Sequence, residues 1–139
     1  MKNYYTDNLH YTMVALSREI TAVAEIAFLD LGLTPSDAYL IMTVNEKPNI
    51  QPTEISEKIL LAPSTITRMI EKLEKRNIVT RAQEGKYTYV AATNKGINLY
   101  VLILEKWVEI NDSFLAKLGD DSVANLVSCT SDATLKLKG

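Results

Sequence analysis

The 139-residue sequence holds little of what builds specialised scaffolds: one cysteine, one histidine, one tryptophan, two phenylalanines, four prolines and five glycines. A single cysteine excludes a disulfide framework and points to a reducing compartment. So few glycines and prolines exclude a collagen-like chain and a Pro/Gly linker. His10 and Cys129 stand alone, so there is no metal-ligand cluster and no nucleophile paired with a base. No glycine-rich phosphate loop occurs, and neither a metal, a cofactor nor an enzyme activity is expected. An excess of one charge is also missing. Fifteen Lys+Arg against 17 Asp+Glu give a net charge of -2, and the whole-molecule field offers no sign of a nucleic-acid partner. The longest apolar run, residues 99–104, is about a third of the ~20 residues that a membrane-spanning helix needs. Polar residues in Met1-Lys2-Asn3-Tyr4-Tyr5-Thr6-Asp7 interrupt what a secretion signal requires. A cytoplasmic chain with no membrane partner is expected.

What is present is a globular balance, 47% hydrophobic and 23% charged, which suits one core, its own or shared with a second subunit. Leu9, Met13, Leu16, Ile20, Val23 and Ala27 step by three and four and predict a first helix over residues 5–30. Such a helix extends about 37 Å, more than a small domain needs for its own core. Gly32 stops it. Thr34-Pro35-Ser36-Asp37 then opens a second helix, with Thr34 as N-cap, Pro35 at the first position and Asp37 at the third. A short helix follows Gln51-Pro52-Thr53. After the tight connection Leu61-Ala62-Pro63 another helix buries Ile66, Met69, Ile70 and Leu73, and Asn77 ends it in the left-handed region.

Beyond Asn77 the period becomes extended. Ile78-Val79-Thr80-Arg81 and Tyr87-Thr88-Tyr89-Val90 read as strands, and Gln83-Glu84-Gly85-Lys86 joins them into a small hairpin. Tyr87 and Tyr89 suit cross-strand packing. Thr93 caps a second long helix with Ile97, Tyr100, Val101, Leu104, Trp107, Val108, Leu115 and Leu118 along one stripe. A break at Gly119-Asp120-Asp121-Ser122 precedes a last helix.

Helix, turn, helix and hairpin in that order form a DNA-reading module, in which the second helix fits the major groove and the wing reaches the neighbouring backbone. Ser64, Thr65 and Thr67 present small hydroxyls for close approach, and Arg68 and Lys72 add cationic donors. From residue 62 to 90 six cations face three acids, a net +3. The acidic average therefore conceals a modestly basic segment.

At these residues the sequence resembles the MarR family of winged-helix transcriptional regulators. The resemblance is carried by Leu33-Thr34, Thr53-Glu54-Ile55-Ser56, Pro63-Ser64-Thr65-Ile66-Thr67-Arg68, Leu73-Glu74-Lys75-Arg76-Asn77-Ile78-Val79, Arg81, and Ala92-Thr93-Asn94-Lys95-Gly96. It implies a mainly α fold with a small β-hairpin wing: a winged helix-turn-helix over residues 32–93, with long dimerisation helices over residues 1–31 and 94–139 of one domain. It further implies a homodimer that binds double-stranded DNA at a palindromic operator, as a repressor released by a small-molecule effector. Thr65, Thr67 and Arg68 would read bases. Thr53, Pro63, Ser64, Lys72, Arg76, Arg81 and Lys86 would complete the DNA-binding set, and Tyr39, Met42, Tyr100 and Trp107 would border an effector pocket. The wing here is short and lacks the Asp and Arg with which most relatives brace its tip. That departure motivates the alternative, a winged-helix dimer that has lost DNA reading and serves as a protein-interaction or ligand-binding module.

Overall fold

The computed structural model describes residues 2–139. In chain order it forms α1 (Leu9–Phe28), a 3-10 turn (Leu29–Leu31), α2 (Pro35–Glu46), α3 (Pro52–Ile59), α4 (Pro63–Lys75), β1 (Val79–Glu84), β2 (Tyr87–Ala92), α5 (Asn94–Leu118) and α6 (Asp120–Lys138). The fold class is the expected one, mainly helical with a two-stranded antiparallel hairpin. Among the described residues no helix is long and apolar enough to cross a membrane. Two compact units are present, one reaching Lys106 and the other Trp107–Gly139, divided within α5.

Local chemistry accounts for most boundaries in the first unit. The Asn8 side chain accepts a hydrogen bond from the Tyr11 amide, and α1 starts at Leu9, four residues later than the expected start at residue 5. Tyr5 belongs instead to a turn in which the Asn3 side chain accepts from the amides of Tyr5 and Thr6. At α2, Thr34 and Asp37 form a reciprocal capping box with both bonds at 3.0 Å, which satisfies two amides that a helix start leaves without partners. Asn77 ends α4 at φ 59, as its tolerance of the left-handed region predicts.

The core of this unit lies where α2, α3, α4 and the hairpin converge. Leu40, Ile41, Val44, Ile55, Ile66, Ile70, Leu73, Ile78, Val79 and Val90 are all fully buried there. Phe28 joins from the end of α1 and Ile103 from α5. Burying a side chain of this size contributes about 1.5–3 kcal/mol, so the α4 stripe of Ile66, Met69, Ile70 and Leu73 holds that helix down and leaves its other face outward. The hairpin is longer than its β-branched residues suggest. β1 and β2 pair from Val79↔Ala92 to Glu84↔Tyr87, leaving only Gly85 and Lys86 in the turn. Gly85 takes φ 60, the left-handed geometry that matches a two-residue turn to strand twist. Ile50 adds a bridge to Val90, whose amide donates to the Ile50 carbonyl at 2.8 Å.

One glycine is required by close approach. A Cβ on Gly96 would lie 2.2 Å from the Ile78 carbonyl oxygen. That same carbonyl accepts from the Thr93 amide at 3.1 Å and from the Thr93 hydroxyl at 3.0 Å, so the start of α5 is seated directly on the α4–β1 connection. In the second unit the expected four-residue break contracts to Gly119, at φ 88. Asp120 and Asp121 fall in the first turn of α6, where acids favour the positive end of the helix. No residue of α6 is buried.

Candidate nucleic-acid interface

α3, the connection Leu60-Leu61-Ala62 and α4 form a helix-turn-helix. Pro52 and Pro63 open the two helices, where a missing amide proton costs nothing and a fixed φ favours the first turn. The turn itself is strained, because Leu60 adopts φ 62 and ψ 41 in a region that residues other than Gly, Asn and Asp rarely visit. The Ser56 hydroxyl bonds the Leu61 carbonyl across this turn.

The face of α4 opposite its buried stripe carries Ser64, Thr67, Arg68, Glu71, Lys72 and Lys75, all exposed, with Thr65 half-buried at the edge. The Thr67 hydroxyl donates back to the Pro63 carbonyl at 3.1 Å, leaving its methyl and both oxygen lone pairs for an outside contact. Thr53 is exposed in the first turn of α3. Arg68 forms no hydrogen bond or ion pair within the described residues and is exposed, so its guanidinium has all five donors for an external acceptor.

Three of the other sequence-assigned cations have partners inside the protein. The Lys72 ammonium lies 2.8 Å from the carboxylate of Asp37. Arg76 donates to the carbonyls of Gly32 at 2.7 Å and Leu31 at 3.3 Å. Arg81 binds Glu74 through two hydrogen bonds. That hydrogen bond, reinforced by the Arg81 charge, holds the Glu74 carboxyl below its ordinary value, and Glu74 in turn raises Arg81. Lys86, at the hairpin tip, stacks its ammonium 5.5 Å from the centroid of the Tyr87 ring. Sequence reasoning identified Asp37 as a cap and missed it as the partner of Lys72, because nothing local marks a contact between residues 35 positions apart.

Of the four residues assigned to an effector pocket, Tyr39 and Met42 line an open cavity of about 430 Å³ together with Thr43, Glu46, Lys58, Ile59 and Leu60. Burial raises the Tyr39 phenol above its ordinary value, so the hydroxyl keeps its proton at neutral pH. Tyr100 is half-buried on α5, outside that lining. Trp107 falls in the second unit. Lys58 and Leu60 were not legible as lining residues, since only the packing of α3 on α2 brings them there.

The order of elements, the buried stripe of α4 and its polar outer face coincide with a known family: the MarR family model matches residues 33–84. That matched segment holds the whole helix-turn-helix and the first strand of the hairpin. The matched MarR segment runs from the residue before the α2 cap to the end of β1. Among curated relatives, the HTH-type transcriptional repressor MdtR of Bacillus subtilis is 27% identical over 55 residues, 40% of this chain and 36% of MdtR. The HTH-type transcriptional regulator MhqR of the same organism is 27% identical over 95 residues, 66% of each chain. The chain thus spans between about a third and two thirds of the length of these relatives. Among solved structures, the transcriptional repressor CouR bound to a 23-mer DNA duplex superposes with a TM-score of 0.88 at 17% identity, covering 96% of this chain and 97% of CouR. That likeness shows a shared winged-helix fold. Both curated relatives are HTH-type regulators of transcription.

Proposed function

We propose that this chain is a sequence-specific DNA-binding transcriptional regulator, a repressor that binds a palindromic operator as a homodimer in the cytoplasm. α4 enters the major groove, with Thr65, Thr67 and Arg68 at base edges. Thr53, Pro63, Ser64 and Lys86 lie toward the phosphate backbone. The observation that carries this reading is the outward face of α4: small hydroxyls and an unengaged Arg68 stand above a fully buried stripe, the arrangement that a helix needs to enter a groove. CouR, of the same fold, has been solved on a DNA duplex.

Dimerisation is assigned to the terminal helices, residues 1–31 and 94–139. Leu9, Met13, Val14 and Ile20 on α1, Val101 and Leu104 on α5, and Val127 and Leu135 on α6 are exposed apolar side chains, more than a monomer's surface ordinarily leaves bare on long helices. Two heads related by a two-fold axis would read half-sites about one DNA turn, ~34 Å, apart. Release by a small molecule is supported by the cavity at Tyr39 and Met42, whose lining includes Leu60 of the helix-turn-helix connection. CouR has also been solved with p-coumaroyl-CoA bound.

A second reading, a winged-helix dimer without DNA reading, is favoured by the two-residue wing turn and by the internal engagement of Lys72, Arg76 and Arg81. Selection of bound fragments from the source genome, followed by affinity measurements across a salt series, separates the two. Binding that falls steeply with salt supports phosphate contacts, whereas no binding at low salt leaves the second reading.

A further inference from the structure

Arg68 and Lys72 on the exposed face of α4 and the half-buried Arg76 at its C-cap stand four residues apart, a spacing that stacks side chains along one side of a helix. An arrangement of this kind ordinarily counts as three phosphate contacts, but the structure divides it. Lys72 sits 2.8 Å from the carboxylate of Asp37, a side chain that is 2% exposed and already accepts the Thr34 amide as half of the α2 capping box. One turn further on, Arg76 reaches the carbonyls of Leu31 and Gly32, and its own carbonyl accepts from Lys95 at 2.9 Å. Both cations therefore grip residues 31–37, the connection between α1 and α2.

We propose that Lys72 and Arg76 are positioning residues. Their charge is used to set the height and tilt of α4 against the α1–α2 connection, and neither contacts a DNA phosphate. The inference rests on the DNA-binding reading above. Its physical basis is the state of the partners. Withdrawing Lys72 to a phosphate would leave a buried carboxylate charged and unpaired, which costs more than an exposed ion pair returns. Withdrawing Arg76 would strip charge-assisted bonds from two carbonyls at a left-handed turn, where Gly32 has φ 65. Among the described residues Arg68 and Lys75 are exposed and have no such ties.

The test uses the full chain and an operator fragment recovered by genomic selection, with non-specific duplex of equal length as the second ligand. A phosphate contact serves both ligands alike, whereas positioning of the reading helix serves only the operator. Lys72→Met is expected to weaken operator binding about tenfold while leaving non-specific binding and the salt slope unchanged. Asp37→Asn is expected to do the same, and the Lys72→Met/Asp37→Asn double variant to be no worse than the poorer single one. Arg76→Gln should likewise reduce the ratio of operator to non-specific affinity. As a control, Lys86→Ala, at a cation assigned to the phosphate backbone, should weaken both ligands alike and lower the salt slope by about one. The proposal is overturned if Lys72→Met weakens both ligands equally and lowers the slope by about one, or if Asp37→Asn leaves operator affinity intact. Thermal unfolding of the same four proteins gives the coupling of Lys72 to Asp37 without any DNA. Additive effects there overturn the proposal. Failure of the wild-type chain to bind DNA at low salt instead overturns the function on which it rests.

Discussion

Arg81 on β1 holds Glu74 on α4 through two hydrogen bonds, Nη2 to Oε1 at 2.8 Å and Nε to Oε2 at 3.3 Å. The pair joins the base of the wing to the outer edge of the helix proposed to read DNA. A wing whose turn is only Gly85 and Lys86 has little reach at its tip, and this side-on pairing braces it from below. The geometry is bidentate, which makes it more specific than an ordinary surface pair, although both side chains are about a third exposed and water screens the gain.

The pair has a pH signature. Arg81 holds the folded-state Glu74 carboxyl below its ordinary value, so the contact contributes stability above the unfolded value and loses it as pH falls through the folded one. A carboxyl NMR titration should place Glu74 below the protein's unpaired glutamates. Arg81→Met should return it to their range and speed hydrogen exchange along β1.

Gly96→Ala should be among the most damaging single-methyl changes in this chain. The added Cβ meets the Ile78 carbonyl oxygen at 2.2 Å, and that oxygen is fixed by both hydrogen-bonding groups of Thr93. Moving the start of α5 away breaks those bonds, so a loss of about 2–4 kcal/mol is expected in denaturant unfolding. A loss below about 0.5 kcal/mol, the range of an ordinary surface change, would contradict the rigid seating.

Leu60→Asn should stabilise the helix-turn-helix. Leu60 is exposed at 73% and holds a left-handed conformation that costs about 1–2 kcal/mol for a residue with an ordinary Cβ. Asn visits this region more readily, and a gain of about 0.5–1 kcal/mol in chemical denaturation is expected. An unchanged or lower midpoint would show that the leucine side chain contributes packing at the cavity mouth.

Arg68→Ala should weaken operator binding by about 1–3 kcal/mol and relax preference at one base position, since a bidentate base contact has that worth. Fluorescence anisotropy with single-base operator variants measures both effects. Unchanged affinity would remove Arg68 from the interface. The folding midpoint should not move, because the side chain has no partner within the described residues.

Features whose causes act within about four residues were legible from the amino-acid order alone. Thr34 with Asp37, Pro52, Pro63, Asn77 and Thr93 each set a helix end through their own hydrogen bonds or backbone preferences. The spacing of Ile66, Met69, Ile70 and Leu73 determined which face of α4 is buried, and therefore which face is free to read. The exact start of α1 was less legible, because Asn3 draws the amides of Tyr5 and Thr6 into a turn and Asn8 caps the helix after it. The division of the cations depends on packing between distant segments. Lys72 and Asp37 are 35 residues apart, and Arg76 and Gly32 are 44 apart. No local preference encodes a meeting at that range, because it depends on α2 and α4 packing across one core. Arg68, Lys72 and Arg76 are equivalent in sequence as donors on one helical ridge. Packing ties two of them to the α1–α2 connection and leaves Arg68 facing outward.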